Sequence, residues 1–388
     1  MAYQPVNIDQ SIKLSEFNVL LEPFELLVNQ TMEQFEKEDI LKYIFLMQKS
    51  DKYREEIRTR LGMGEFAPVP DMGTAKLDNW AEGHRKQFKH TTWMNSFQIS
   101  KQTLEDKQSG QINTETTGFL QGYRRGRFDF GLNVLAAGLT GEFTYQGQKF
   151  KVSSYDSIDG TIEGLQKQLL FHKNHMPAET GKRTTSQSNK FYAIAPNYDE
   201  EKFLEILGMV EEKALKVTDD NNKIERVRPK LIVVPHHYKQ LSTIKRALNT
   251  TATSKMGDNG INIEYGRWTL IPSIHLAEYP GFGPDDNAFI LIDPDYNTTW
   301  KGGIWYDRVP LEIDVYYDKE NKSMKVDGRA RYSADFFNWR YIYYCTIVDE
   351  DLPSTANIAN DIVNSKADST LIYDGSVEEE EEEEGEDL

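Results

Sequence analysis

Apolar residues recur at three-four spacing near the N-terminus, at Leu14, Phe17, Leu20, Leu21, Phe24, Leu27 and Val28, with an interruption at Pro23. That period predicts helix from residue 14 to about 61. Asp39 is placed to cap a second stretch that turns Ile40, Leu41, Ile44, Phe45 and Met47 to one face. Breakers then cluster at Gly62, Gly64, Pro68, Pro70 and Gly73. From Trp80 to Gln108 polar and aromatic residues mix without helical period, and Trp93, Phe97 and Ile99 stand among polar neighbours. This stretch reads as an extended, hairpin-like excursion that lacks a core of its own and buries its aromatics on something else.

A long helix is expected from Ile112 to Ala137, with Phe119, Tyr123, Phe130, Val134 and Leu135 on a shared side. Gly118, Gly122 and Gly126 fall four apart on one row. Each costs ~1 kcal/mol against Ala in a helix interior, and the row permits close approach of another backbone. Gly138 and Gly141 end the helix, and Gly141 to Val152 suits a hairpin turning at Gln146-Gly147. Asp199 caps a helix from Glu200 to Val217, with acids in its first turn and Lys213 and Lys216 near its end, as the helix dipole favours. A turn at Asp219–Asn222, a buried strand at Leu231–Val234 and a helix from about His237 to Leu248 follow. Later strands are expected at Asn262–Ile271, Ala288–Ile292, Glu312–Tyr317, Met324–Tyr332 and Tyr341–Val348. The alternation describes an α+β or α/β layer. Residues 353 to 376, rich in Ser, Asn, Asp and Ala, read as linker.

Composition narrows the class. With 38% hydrophobic and 12% aromatic residues, the 388-residue chain can bury a sizeable core and is unlike a disordered protein. No apolar run approaches the ~18 residues that span a bilayer, and the N-terminus has neither the basic nor the apolar region of a secretory signal. The formal charge of −17 is uneven: residues 374 to 388 hold ten acids and no base, so the rest of the chain carries −7. Such a seven-glutamate run repels itself and is expected to be extended and disordered, on the outside of any assembly it belongs to. A body this mildly acidic lacks the basic surplus of a sequence-specific nucleic-acid reader. The single cysteine, Cys345, excludes an intramolecular disulfide framework and reads as a small buried hydrophobe in a reducing compartment.

Candidate chemistry fails on context. Gly62-Met63-Gly64-Glu65-Phe66-Ala67 fits a dinucleotide fingerprint by letters, but it follows a helical pattern, and Pro68 and Pro70 prevent a helix from starting there. His172 and His175 are three apart, with His236 and His237 elsewhere and no cysteine partners for zinc. Asp293, Asp295 and Asn297 open like a calcium loop, but its sixth position is Thr298 and its twelfth Ile304. No Gly-x-Ser-x-Gly elbow occurs. Neither a catalytic residue nor a cofactor or metal is expected, and the chain reads as a non-enzyme.

Read in order, several segments resemble the tailed-bacteriophage major capsid family of Hong Kong 97 type, most closely its Mu-type major head subunits. Phe97-Gln98-Ile99-Ser100, with Leu104-Glu105-Asp106-Lys107 and Gly110, resembles the family's stretch that closes an extended loop and leads into a long spine helix. Leu169 to His175 followed by Gln187-Ser188-Asn189 resembles its "l-F-x-x-x-H … q-S-N" segment, and Arg228 to Pro235 its "x-P-x-x-L-v-V-p-p". Asn262 through Ile274 stands for a strand pair, and Phe289 to Asp293 for "W-y-L-l-D", with Phe289 in place of the Trp. Trp305 to Pro310, Arg331 to Asp335 and Trp339 match the closing "R-x-P … R-Y-g-x-d" region. The resemblance runs from roughly residue 70 to 348 and is carried by order and spacing. The long N-terminal helices and the acidic tail have no counterpart in it.

The resemblance implies an α+β fold of that type. Its parts are an N-terminal helical arm at 1–70, an extended loop at 71–110, and a peripheral domain with the spine helix at 111–190. An axial α/β domain at 191–300, return strands at 301–350, and a linker with acidic tail at 351–388 complete it. It implies a homo-oligomer of hexamers and pentamers that encloses double-stranded DNA in the virion and assembles in the host cytoplasm. Other capsid, portal or scaffold proteins would be its partners, with non-specific contact to packaged DNA and no membrane. Trp80, Trp93, Phe97, Ile99, Arg124, Arg125 and Arg127 are the expected inter-subunit contacts, the arginines forming ion pairs between subunits or facing DNA. An encapsulin-like compartment shell, or a monomeric α+β binding or hydrolytic protein, are the alternatives.

Overall fold

A computed structural model describes residues 7–8, 26–35, 39–60, 69, 71, 74, 82–105, 109–154, 169–175, 183, 185–195, 198–251, 261–284, 286–318, 320–321, 323–348 and 371–373. The chain divides into two compact units. The first is built from Met1–Arg58, Arg85–Lys167 and Asn297–Asn338, the second from Thr59–His84, Gln168–Tyr296 and Trp339–Leu388.

The chain enters the first unit with a short strand β1 (Asn7–Ile8), a helix α1 (residues 26–35) and a single turn α2 (Leu41–Ile44). Asp39 begins that turn as its pattern predicts, its Oδ1 accepting from Leu41 N at 2.9 Å. Helix does not continue to residue 61. Instead β2 (Leu46–Lys49) runs parallel to residues 304–307, and β3 (Arg54–Arg60) follows it. Local periodicity gives way because a neighbouring strand supplies backbone partners at Leu46–Lys49. Residues 14–25 and the breakers Gly62, Gly64, Pro68, Pro70 and Gly73 lie outside the described residues.

β4 (Glu82–Lys89) pairs with β3 as a two-stranded ribbon, and β5 (Thr91–Ser100) continues the chain after His90. Then come α3 (Lys101–Glu105) and the 28-residue helix α4 (Ser109–Ala136). The hairpin β6 (Glu142–Tyr145) and β7 (Gln148–Lys151) turns at Gln146 and Gly147, both with positive φ, 49° and 77°. Two such residues are what a two-residue hairpin turn matched to strand twist demands.

In the second unit β8 (Lys190–Ile194) leads to α5 (Glu200–Leu215), whose cap Asp199 accepts from Lys202 N at 2.9 Å. The wholly buried β9 (Leu231–Pro235), α6 (Tyr238–Asn249), β10 (Thr269–Ser273) and β11 (Phe289–Ile292) follow. The strand expected from Asn262 begins only at Thr269. Asn262 spends its carboxamide on the end of α6, donating to Ala247 O at 2.7 Å and Thr250 O at 2.8 Å, and residues 263–267 form turns. After α7 (Pro294–Trp300) the chain returns to the first unit with β12 (Gly303–Asp318) and β13 (Ser323–Phe336). It ends in the second with β14 (Ile342–Val348) and β15 (Leu371–Tyr373).

β12 and β13 form the middle of the first unit's sheet, ordered β1-β12-β13-β5, with β2 also beside β12. Two register shifts in the β12–β13 pair, between Asp307 and Glu312, accommodate Pro310, which cannot donate to a ladder. α4 covers one sheet face. Phe119 and Leu120 meet Val28, Ile99, Leu311, Ile313, Val315, Met324 and Val326 in one core cluster. A Cβ on Gly328 would come within 2.4 Å of the Phe119 ring, and one on Gly131 within 2.5 Å of Leu41. The row at Gly118, Gly122 and Gly126 makes no close backbone approach, and the tight glycine contacts, both with side chains, are at Gly131 and Gly328. Gly118 and Gly122 have nothing within 4 Å of an added Cβ.

The second unit's sheet runs β10-β9-β11-β14-β8-β15. β9 pairs parallel to β10 and antiparallel to β11, and β14 pairs antiparallel to β11 and parallel to β8. α5 buries Phe203, Ile206, Leu207 and Val210, and α6 buries Leu241, Ile244 and Leu248. Burial of β9 on both faces explains its unbroken run of aliphatic residues.

Candidate functional site

Where β2 passes into β3 and β4 into β5, Ser50 and His90 face one another at the base of the β3–β4 ribbon, both buried. Ser50 Oγ donates to Glu55 Oε1 at 2.8 Å and lies 3.2 Å from His90 Nε2, while His90 Nδ1 lies 3.0 Å from Ser333 Oγ. A hydroxyl has one proton. With Ser50's given to Glu55, His90 Nε2 must donate to Ser50, and Nδ1 accepts from Ser333. His90 is therefore no base toward Ser50, and the cluster differs from a nucleophile–base pair. Burial, with Arg331 and Arg308 nearby, holds the His90 pKa below its usual value. Burial alone would raise Glu55, but hydrogen bonds from Ser50 and Lys52 outweigh it and lower the carboxyl.

Four residues before His90 and on the same side of β4, buried Lys86 reaches Asp335 at 2.7 Å and donates to Ser153 O at 2.6 Å and Ser153 Oγ at 3.0 Å. Together these contacts fasten both strands of the ribbon to β13. The sequence offered little sign of them, because Ser50, Lys86 and His90 stand in polar surroundings and only position in the fold buries them.

A second polar centre lies under α4. Arg127 grips Asp307 with both terminal nitrogens, at 2.6 and 3.0 Å, and Trp305 Nε1 donates to the same carboxylate at 2.9 Å. The guanidinium sits 4.3 Å from the Trp305 ring centroid and 5.5 Å from that of Tyr332. Burial opposes the charge on Arg127, but Tyr123 and Asp307 outweigh it and raise the pKa.

The second unit has its own centre. His175 stacks on Trp339 and meets Asn189 Oδ1 at 2.8 Å through Nε2. Asn189 Nδ2 donates to Leu170 O at 2.8 Å and Ile342 O at 3.0 Å. Asp220 receives Arg340 at 2.8 Å and Arg183 at 3.3 Å. These segments, Leu169–His175, Gln187–Asn189 and Trp339, were singled out by the family resemblance, and the fold brings them together as internal fastenings.

The expected contact residues divide. Trp80 lies outside the described residues. Trp93, Phe97 and Ile99 do not lack a local core: β5 pairs with β13 at ten positions, Thr91 through Ser100. Trp93 packs on Phe130, Tyr145, Phe150 and Tyr332 at centroid distances of 5.3 to 6.1 Å, Phe97 on Phe119 at 5.2 Å, and Ile99 is buried. The reading of this segment as an excursion without internal burial is thereby corrected. The aromatics it needs come from α4, the β6–β7 hairpin and β13, all distant in sequence. Arg127 makes its ion pair within the chain, to Asp307. Arg124 lies 4.8 Å over the Phe35 ring, and Arg125 is exposed.

Among the described residues no group of three or more His, Cys, Asp or Glu is arranged to hold a metal, and no helix is long and apolar enough to cross a membrane. Asp293 serves as a helix cap, its Oδ1 accepting from Asp295 N at 3.0 Å and Tyr296 N at 2.9 Å.

The arrangement defines an α+β chain of several sheets whose buried polar groups tie strands together. No family model and no curated protein matches it. Among solved structures it is similar to one of Mycobacterium phage Patience, at 10% identity and a TM-score of 0.46, covering 90% of this chain and 94% of that one. It is also similar to the capsid of Myoviridae phage XM1, at 10% identity and a TM-score of 0.43, covering 80% and 91%. The capsid of cyanophage P-SCSP1u gives 6% identity and a TM-score of 0.45 over 80% and 88%.

Proposed function

We propose that the chain is a structural, non-enzymatic major capsid protein of Hong Kong 97 type, which self-assembles into an icosahedral shell around tailed-phage double-stranded DNA. The observation that carries this reading is what the resembling segments do in the fold. Phe97–Ser100 ends the strand that leads through α3 into the 28-residue α4, as a spine helix requires. Arg228–Pro235 delivers the buried β9, and Arg331–Asp335 lies on β13, where Ser333 and Asp335 receive the ribbon's His90 and Lys86. Residues that the family pattern repeats are thus framework residues, as expected of a protein whose function is its shape.

On this reading residues 1–70 include the arm and 71–110 the loop, whose reach begins with the ribbon. Residues 111–190 and 191–300 are the peripheral and axial domains, 301–350 their return strands, and 351–388 the linker and tail. Hexamers and pentamers, portal or scaffold partners, contact of Arg125 with a neighbour or with DNA, and assembly in the host cytoplasm before residence in the virion belong to the same proposal.

Light scattering and negative-stain imaging of the expressed chain test it, with scaffold supplied and salt varied. Closed particles of uniform size are the expected result. Monomers near 45 kDa under every condition would exclude a shell, and particles filled with protein cargo and free of nucleic acid would favour an encapsulin-like compartment.

A further inference from the structure

β5 is ten residues long, Thr91-Thr92-Trp93-Met94-Asn95-Ser96-Phe97-Gln98-Ile99-Ser100, and carries no charge, no proline and no glycine. It is the last strand of its sheet: β13 lies on one side, and among the described residues no strand lies on the other. Folded proteins usually guard such an edge with brevity, charge or proline, because its open backbone groups pair with any extended strand they meet. The other described edges obey that rule. β1 and β15 have two and three residues, β2 has four, and β10 carries Pro272. β3 and β4 are laced with Arg, Lys and Glu. Among the described edges β5 alone is long and unguarded. On its outward face Thr92, Met94, Ser96 and Gln98 are exposed, and Met94 leaves 70% of its surface to solvent.

We propose that the free edge of β5 is a self-association surface, pairing antiparallel with β5 of a second copy of this chain about a two-fold axis normal to the sheet. A self-pairing strand sets each residue type against those of its own sequence. A strand without charge therefore opposes no like charges in any register, whereas β3 or β4 would. The two-fold makes the contact isologous and joins two sheets into one. It keeps outward faces together, so one residue near the strand's middle sits opposite its own copy. The inference deepens the shell-subunit reading and rests on it for the assembled state in which the pair is tested.

Cys345 is buried, so a single introduced cysteine reports alone. Met94→Cys, Asn95→Cys and Ser96→Cys, all at exposed positions, are assembled separately into particles and oxidised mildly. Facing Cα atoms in an antiparallel pair lie about 4.5 to 5.5 Å apart, within disulfide range. One of the three is expected to give disulfide-linked dimers as the main species, with the other two weak. In parallel, Lys placed at whichever of the three positions gives the dimer is expected to lower particle yield about fivefold, the effect of one like-charge cross-strand opposition, while Met94→Leu assembles normally and both variants melt as the parent does. Particles that form with no dimer from any of the three positions, or that tolerate Lys at the position that does give the dimer, overturn the β5 pairing and leave the shell reading standing. Absence of particles from the parent chain itself would count against both.

Discussion

His175 lies face-on against Trp339, their ring centroids 4.2 Å apart and their planes 7° from parallel. The imidazole is wholly buried in this stack, and burial holds its pKa well below the usual histidine value. The hydrogen bond to Asn189 opposes that shift, while His172, Arg340 and Arg183 reinforce it.

This gives the second unit a defined response to acid. The unfolded chain takes up a proton at His175 near pH 6.5, and the folded chain does so only at lower pH. Between those values the unfolded state binds more protons, so stability is full above about pH 6.5 and is lost as pH falls toward the folded value. His90 and His172, also lowered mainly by burial, act with the same sign. The melting temperature of the subunit should drop from pH 7 to pH 5, and His175→Gln should drop less steeply, by up to about 1.4 kcal/mol per pH unit. Equal slopes for parent and variant would show that His175 does not carry the effect.

Breaking the Arg127–Asp307 pair from one side should be costly. Asp307→Asn leaves a buried guanidinium without its counter-charge, an effect of about 3 to 5 kcal/mol, whereas replacing both partners with apolar residues of similar volume should recover most of it. Urea unfolding of Asp307→Asn, Asp307→Leu, Arg127→Met and the double variant with Asp307→Leu and Arg127→Met measures the coupling. Additive losses would show that the pair does not act as a unit.

Gly328 is held to glycine by packing. Its missing Cβ leaves room for the Phe119 ring, so Gly328→Ala should destabilise the first unit by about 1 to 3 kcal/mol through overpacking. Adding Phe119→Leu should restore part of that loss in the same thermal unfolding experiment. Gly118→Ala, where an added Cβ meets nothing, should be neutral or slightly stabilising.

Trp93→Ala should weaken the isolated subunit itself, by about 3 kcal/mol, because Trp93 packs on four intrachain rings. A variant subunit that unfolds like the parent but fails to assemble would return Trp93 to an inter-subunit role.

Trp93 also shows where sequence reading stops. Its strand pattern was legible, but the rings that bury it come from residues 130 to 150 and 332, and no local period reveals a contact across such distances. The same holds for Leu46–Lys49, where the long-range partner β12 decides between helix and strand. Local chemistry was read well where it is self-sufficient. The Gln146-Gly147 turn, the Asp199 cap and the aliphatic run of β9 each need only their own residues or immediate neighbours. The ribbon's fastening was invisible for the opposite reason: His90 and Ser333, hydrogen-bonded at 3.0 Å, stand 243 positions apart.

That separation sets a clock. β5 and α4 leave the ribosome early, but the two strands at the centre of their sheet are residues 303–336. At about 5 to 20 residues per second, roughly ten to fifty seconds of synthesis separate β5 from the strand it pairs with. Throughout that interval the uncharged β5 of each nascent chain is exposed on both edges, among sister chains emerging from the same message. The growing polypeptide therefore meets its strongest temptation to pair wrongly before its proper partner exists, and a holding chaperone or fast elongation across residues 100–300 should raise the yield of correctly folded chain.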